Sequence, residues 1–147
     1  MCNLSKFAEM LGDAMFEKNL NSPALAKELG ISRNTLTRYL QGVRFPSVNM
    51  LVKIADYFGC STDYLLGYDS IKRVTKFLPC PPFSERIKFL LKSKEGYTGY
   101  LFCKEAKISE SNFYDWKNGK REPSVDNVVK IAKFLDCSVD YVLGREV

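Results

Sequence analysis

Arg33, Asn34, Thr35, Thr37 and Arg38 stand close together in the chain, and each has a side chain that can read the edge of a base pair. Arginine can hold guanine through two hydrogen bonds, asparagine can do the same with adenine, and a threonine methyl can touch the methyl of thymine. Leu36, Tyr39 and Leu40 fall among them at i, i+3 and i+4, the spacing of one apolar face on a helix. A helix over 32–41 that buries this face turns the arginines, the asparagine and the threonines outward. Ser32 is placed to cap it, because its hydroxyl can accept a backbone N–H that a helix start leaves unbonded.

That helix needs a support that holds its apolar face and leaves the other side open. The preceding residues supply one. Leu25, Ala26 and Leu29 form the apolar edge of a short helix, and Gly30 follows them. Glycine takes the left-handed conformation that ends a helix. Ile31 then points back toward the core. Two helices across a glycine-containing turn make a helix-turn-helix. The residues that carry the pattern are Leu25 to Ser32, the outward polar helix, then Gly42-x-Arg44-x-Pro46-Ser47 and Val48-x-x-Leu51-Val52-x-Ile54-Ala55. From Phe7 to Gly67 the chain resembles the family of lambdoid phage repressors and Cro proteins. The resemblance implies an all-α domain of five helices whose helix 32–41 lies in a major groove. It also implies phosphate contacts from Ser22 and Arg44. Ser47 and Asn49, at the start of the fourth helix, can add backbone N–H groups.

Whole-chain properties agree with that reading and remove others. The 147 residues suit one average domain or two small ones, and 46% hydrophobic content is enough for a core. Net charge is +5 with pI near 8.9, a mild basic bias that fits a nucleic-acid partner. No apolar run approaches the length of a membrane span, and MCNLSKFAEM has no signal-peptide core, so a cytoplasmic location is expected. The chain has no histidine, which removes the commonest catalytic base and metal ligand. Five cysteines with no CxxC pair argue against a disulfide framework and a zinc site. Cys60 and Cys137 read as small core residues. No catalytic, cofactor, metal or small-molecule site is expected.

In chain order, Leu4, Phe7, Ala8, Leu11 and Met15 predict an amphipathic helix over about 4–18. Ser22-Pro23 opens the second helix, with serine as the cap and proline at the first helical position. Gly42 ends the outward helix, and Val43 to Pro46 form a loop. Ser47 caps a fourth helix with a core stripe of Val48, Leu51, Val52, Ala55 and Phe58. Ser61 caps a short fifth helix over 62–66, closed by Gly67. Tyr68 to Pro82 contains Pro79, Pro81 and Pro82, and reads as a semi-rigid linker with one helical turn around Ile71 to Phe77.

The pattern then begins again. Ile31-Ser32 recurs as Ile108-Ser109, an offset of 77. At that offset Gly42-x-Arg44-x-Pro46-Ser47-Val48 matches Gly119-x-Arg121-x-Pro123-Ser124-Val125, and Lys53-Ile54-Ala55 matches Lys130-Ile131-Ala132. Cys60-Ser61-x-Asp63-Tyr64-x-Leu66-Gly67 matches Cys137-Ser138-x-Asp140-Tyr141-x-Leu143-Gly144. The expected organisation is therefore a domain at 1–67, a linker at 68–82 and a second copy at 83–147.

The copies diverge on the outward helix. Phe113 and Trp116 replace Leu36 and Tyr39 inside, and Glu110 and Asp115 replace Arg33 and Arg38 outside. A carboxylate repels phosphate and accepts only from a cytosine amino group. Ser111, Asn112, Tyr114, Lys117, Lys120 and Arg121 remain candidate contacts in the second copy. Gly96-Tyr97-Thr98-Gly99-Tyr100 is a poor start for a helix. Tyr64, Leu65, Tyr68, Tyr141 and Val142 form either a pairing surface or plain core closure.

Two functions remain open on these residues. One is a sequence-specific, double-stranded-DNA-binding transcriptional regulator of the repressor type, paired as a homodimer. The other is a protein-binding regulator on the same fold, an antitoxin or anti-repressor, whose second domain binds little DNA.

Overall fold

The computed structural model describes residues 4–70 and 76–146, and no strand occurs among them. The all-α expectation holds. The chain divides into two compact units, residues 1–76 and 77–147. Of the stretch read as a linker, residues 77–82 fall in the second unit, and most of the helical turn expected around Ile71 to Phe77 lies outside the described residues. No helix among the described residues is long and apolar enough to cross a membrane.

The first unit contains α1 (Leu4–Glu17), α2 (Ser22–Leu29), α3 (Arg33–Leu40), α4 (Val48–Phe58) and α5 (Thr62–Leu65). The buried stripe of α1 is Phe7, Met10, Leu11, Ala14 and Met15. Leu4, expected in that stripe, is exposed at the helix start, and Ala8 is half-buried. The stripe of α4 includes Ile54, with Val52 only half-buried. α1 packs on α3 and α5, and α2 on α3 and α4. Leu11, Leu25, Leu36, Leu51, Ile54 and Leu65 close the core between them, each no more than 1% exposed.

Caps fix the helix starts. Ser32, Ser47 and Ser61 each accept a backbone N–H three residues on, from Thr35 at 3.1 Å, Met50 at 3.2 Å and Tyr64 at 3.0 Å. The cap of α2 is Asn21, which accepts from Ala24 N–H at 2.9 Å, with Ser22 and Pro23 already helical. Serine and asparagine both suit a cap, and proline is tolerated at either early position because both N–H groups lack an intrahelical partner. Gly30 ends α2 at φ 70°.

The second unit repeats the plan with α6 (Phe83–Ser93), α7 (Gly99–Ala106), α8 (Glu110–Lys117), α9 (Val125–Leu135) and α10 (Val139–Leu143). α6 packs on α8 and α10, and α7 on α8 and α9. The weak start expected near Gly99 is a capped helix, since Thr98 Oγ1 accepts from Leu101 N–H at 3.2 Å. Gly99 has a packing reason. A Cβ there would lie 3.3 Å from both the Phe113 ring and the Tyr114 hydroxyl. Lys107 and Asp136 hold left-handed positions at φ 62° and 53°, where the first unit has Gly30 and Gly59.

The second unit holds a buried ion pair. Arg145, 1% exposed, donates to Asp140, and its guanidinium sits 4.2 Å from the Phe77 ring centroid. Leu78 N–H donates to Arg145 O at 2.7 Å. At the position matching Arg145, the first unit has the exposed Tyr68. Leu65 and Val142 are fully buried, so they close the cores and take no part in a pairing surface. Cys60 is buried as expected, and Cys137 is half-buried.

Candidate nucleic-acid interface

α3 offers two faces. Leu36 and Tyr39 point inward, and Tyr39 meets Phe7 edge-on at 6.3 Å. Arg33, Asn34, Thr37 and Arg38 are exposed on the other side. Thr35 is half-buried, with its hydroxyl 2.9 Å from that of Ser32. The Thr37 hydroxyl donates back to Arg33 O at 2.9 Å. Both threonines therefore have hydroxyls engaged within the helix, which the residue types alone do not reveal.

The loop after α3 is folded onto its end. Val43 and Arg44 N–H both donate to Arg38 O, at 3.1 and 3.3 Å, and Phe45 rests 5.0 Å from the Phe7 ring. This holds the exposed Arg44 beside the C-terminal turn of α3. Burial raises the Tyr39 hydroxyl pKa above its ordinary value, and the nearby Arg44 charge opposes the rise. Ser47 and Asn49 are exposed at the start of α4, where the Ser47 hydroxyl is already the cap. Ser22 is half-buried in the first turn of α2. Val43, 66% exposed beside Arg44, is absent from the sequence-derived candidates, since an apolar residue in a loop gives no chemical signal. From Arg33 to Arg44 the chain has three arginines and no carboxylate.

The corresponding face of the second unit has different chemistry on the same backbone. Trp116 meets Phe83 edge-on at 5.8 Å, as Tyr39 meets Phe7. Lys120 N–H donates to Asp115 O at 2.8 Å, as Val43 does to Arg38 O. Glu110, Ser111, Tyr114, Lys120 and Arg121 are exposed, while Asn112, Asp115 and Lys117 are half-buried. The Asp115 carboxylate lies 3.8 Å from Arg121 Nε. Lys117 Nζ sits 5.9 Å from the centre of the Tyr114 ring. Under this face, burial pushes the Cys103 thiol up to about 11, and the Glu110 carboxylate adds to the rise. That is the behaviour of a packed thiol. Among the described residues, no group of three or more potential ligands is placed to hold a metal ion.

A helix-turn-helix family model matches two stretches of the chain, residues 17–65 and 87–142. The HTH-type transcriptional regulator ImmR of Bacillus subtilis is 38% identical over 48 residues, which span 33% of this chain and 38% of that protein. The HTH-type transcriptional regulator YqaE of the same organism, itself uncharacterized, is 29% identical over 104 residues, 71% of this chain and 80% of that protein. No solved structure matches significantly. With two matched stretches and the same five-helix plan in each unit, the chain belongs to the Cro/C1-type helix-turn-helix family, as a tandem pair of its domains.

Proposed function

We propose that this protein is a sequence-specific DNA-binding transcriptional regulator that represses by occluding polymerase, and that α3 is its reading element. The observation that carries the reading is the outer surface of α3. It exposes Arg33, Asn34, Thr37 and Arg38, has no carboxylate up to Arg44, and is flanked by Arg44 on a loop bonded to the helix end. The arginines supply bidentate donors for guanine and Asn34 a matching pair for adenine. Thr35 closes the start of the reading helix, at its edge. Ser22, Arg44, Ser47 and Asn49 hold phosphates and set the register, which backbone contacts do without carrying sequence.

The second unit has the supporting part. Asp115 lies against Arg121, and Glu110 stands where Arg33 stands in the first. Its contribution is homodimer pairing and backbone contact through Lys117, Lys120 and Arg121, with Ser111, Asn112 and Tyr114 at the margin. Two chains then set two copies of α3 about 34 Å apart on one pseudo-palindrome. A DNA-bound regulator of this kind acts in the cytoplasm, the location this reading implies. A specific observation favours the rival reading for the second unit: exposed Tyr100 and Tyr114, with Glu110 one turn before Tyr114 on α8, suit a protein partner, as in an antitoxin or anti-repressor.

Selection of bound sequences from random double-stranded DNA tests the proposal. The full chain is expected to enrich one pseudo-palindromic sequence, and Arg33→Ala with Arg38→Ala to abolish the enrichment. Enrichment lost through Glu110→Ala and Asp115→Ala, and kept through the arginine changes, would transfer the reading to α8.

A further inference from the structure

We infer that Thr37 reads the 5-methyl group of a thymine, an inference that rests on α3 lying in the major groove. Thr37 is at i+4 from Arg33 and i+3 from Asn34, so it shares their side of the helix. It is exposed, as they are. Its hydroxyl proton is committed to Arg33 O at 2.9 Å, the back-bond that a helical threonine can make. That bond has two consequences. The hydroxyl cannot donate to the acceptors that dominate the groove, namely purine N7, guanine O6 and thymine O4. It also fixes the first side-chain torsion, which sets the Cγ methyl in one direction on a surface otherwise made of Arg33, Asn34, Arg38 and Gln41. Thymine alone presents an apolar group on the major-groove edge. Of the exposed residues of α3, which are Arg33, Asn34, Thr37 and Arg38, threonine alone carries a methyl group to meet it.

The experiment uses the full chain and the sequence it enriches from random DNA. Each thymine of that sequence is replaced singly by deoxyuridine, which removes the 5-methyl and leaves every hydrogen-bonding group in place. Affinity is then measured for the unaltered chain, for Thr37→Val and for Thr37→Ser, with helix content checked by circular dichroism. One deoxyuridine position is expected to weaken the unaltered chain about fourfold, the scale of one buried methyl group. Thr37→Val keeps the methyl and should show the same sensitivity. Thr37→Ser keeps the hydroxyl without the methyl and should bind thymine and deoxyuridine sites equally. Three outcomes overturn the inference: no sensitive position in the unaltered chain, a Thr37→Val protein indifferent to the substitution, or a Thr37→Ser protein still sensitive to it. Failure of the full chain to enrich any sequence is a separate result. It would remove base reading by α3 itself, and the inference with it.

Discussion

α3 and α8 are the same helix twice, alike in character where they pack and opposite in charge where they face out of their own unit. Each starts on a capping serine, buries two large side chains in its unit's core, and runs into a loop bonded back to its last turn. Inside, substitutions are conservative in character: Leu36 becomes Phe113, and Tyr39 becomes Trp116. Outside, charge is reversed at two positions, since Arg33 becomes Glu110 and Arg38 becomes Asp115. Packing constrains volume and polarity in the core, but an exposed helix face is constrained only by what it meets. The difference separates residues that make the domain from residues available to a partner. The second unit also holds the Asp115–Arg121 and Asp140–Arg145 pairs, and its outer face carries two carboxylates beside its cations.

The largest expected effect concerns those ties. Arg145→Ala would leave the Asp140 carboxylate buried without its guanidinium partner, a change of the kind that costs about 3–5 kcal/mol. Tyr68, at the matching position of the first unit, is 47% exposed, so Tyr68→Ala should stay within about 0.5 kcal/mol. Denaturant titration read from amide signals of each unit checks this. Equal losses for the two substitutions would mean that the Asp140–Arg145 pair contributes no more to the second unit than Tyr68 does to the first.

A smaller effect sharpens the contrast between the outer faces. Arg38→Ala is expected to cost about 1–3 kcal/mol at the selected sequence and to relax one base position, while random DNA is bound almost as before. Asp115→Ala should leave the selected sequence unchanged. Arg44→Ala should weaken all sequences alike and lower the salt slope by about one unit, as loss of one phosphate contact does. Binding isotherms at several salt concentrations separate these three results. If Arg38→Ala weakens selected and random DNA equally, α3 holds backbone and reads nothing.

Much of this arrangement was legible because each signal was local. Of the four serines read as caps, Ser32, Ser47 and Ser61 cap helices, while Ser22 yields that place to Asn21, and the repeat carries the three caps over to Ser109, Ser124 and Ser138. The repeat gave the tandem plan because it preserved the core spacing through many residues. Features that depend on distant packing were not legible. Thr98 caps α7 although two glycines and two tyrosines surround it, and a Cβ at Gly99 would press on the Phe113 and Tyr114 side chains. Arg145 is buried by Asp140 and by Phe77, which reads as part of a linker. The engaged hydroxyls of Thr35 and Thr37 follow from side-chain torsions that composition does not fix.

The smallest predicted effect is in the turns that end helices. Gly30 and Gly59 end α2 and α4 in the left-handed conformation, and Lys107 and Asp136 occupy the matching places in the second unit. A Cβ at Gly30 would meet nothing nearer than Lys53 Nζ at 3.7 Å, and one at Gly59 would meet nothing within 4 Å. Space is therefore available, and the cost of a side chain is conformational, about 1 kcal/mol for each residue held left-handed. Two effects oppose that strain in either unit. A lysine restricts the unfolded chain relative to glycine, worth about 0.5–1 kcal/mol, and its charge at the C-terminal end of the helix is favoured by the dipole. Gly30→Lys and Lys107→Gly should therefore each shift the stability of its own unit by about 0.5 kcal/mol or less, from denaturation midpoints read unit by unit. A loss of about 1 kcal/mol or more with Gly30→Lys, matched by an equal gain with Lys107→Gly, would mean that neither the unfolded chain nor the dipole matters here, and that backbone strain alone governs this turn.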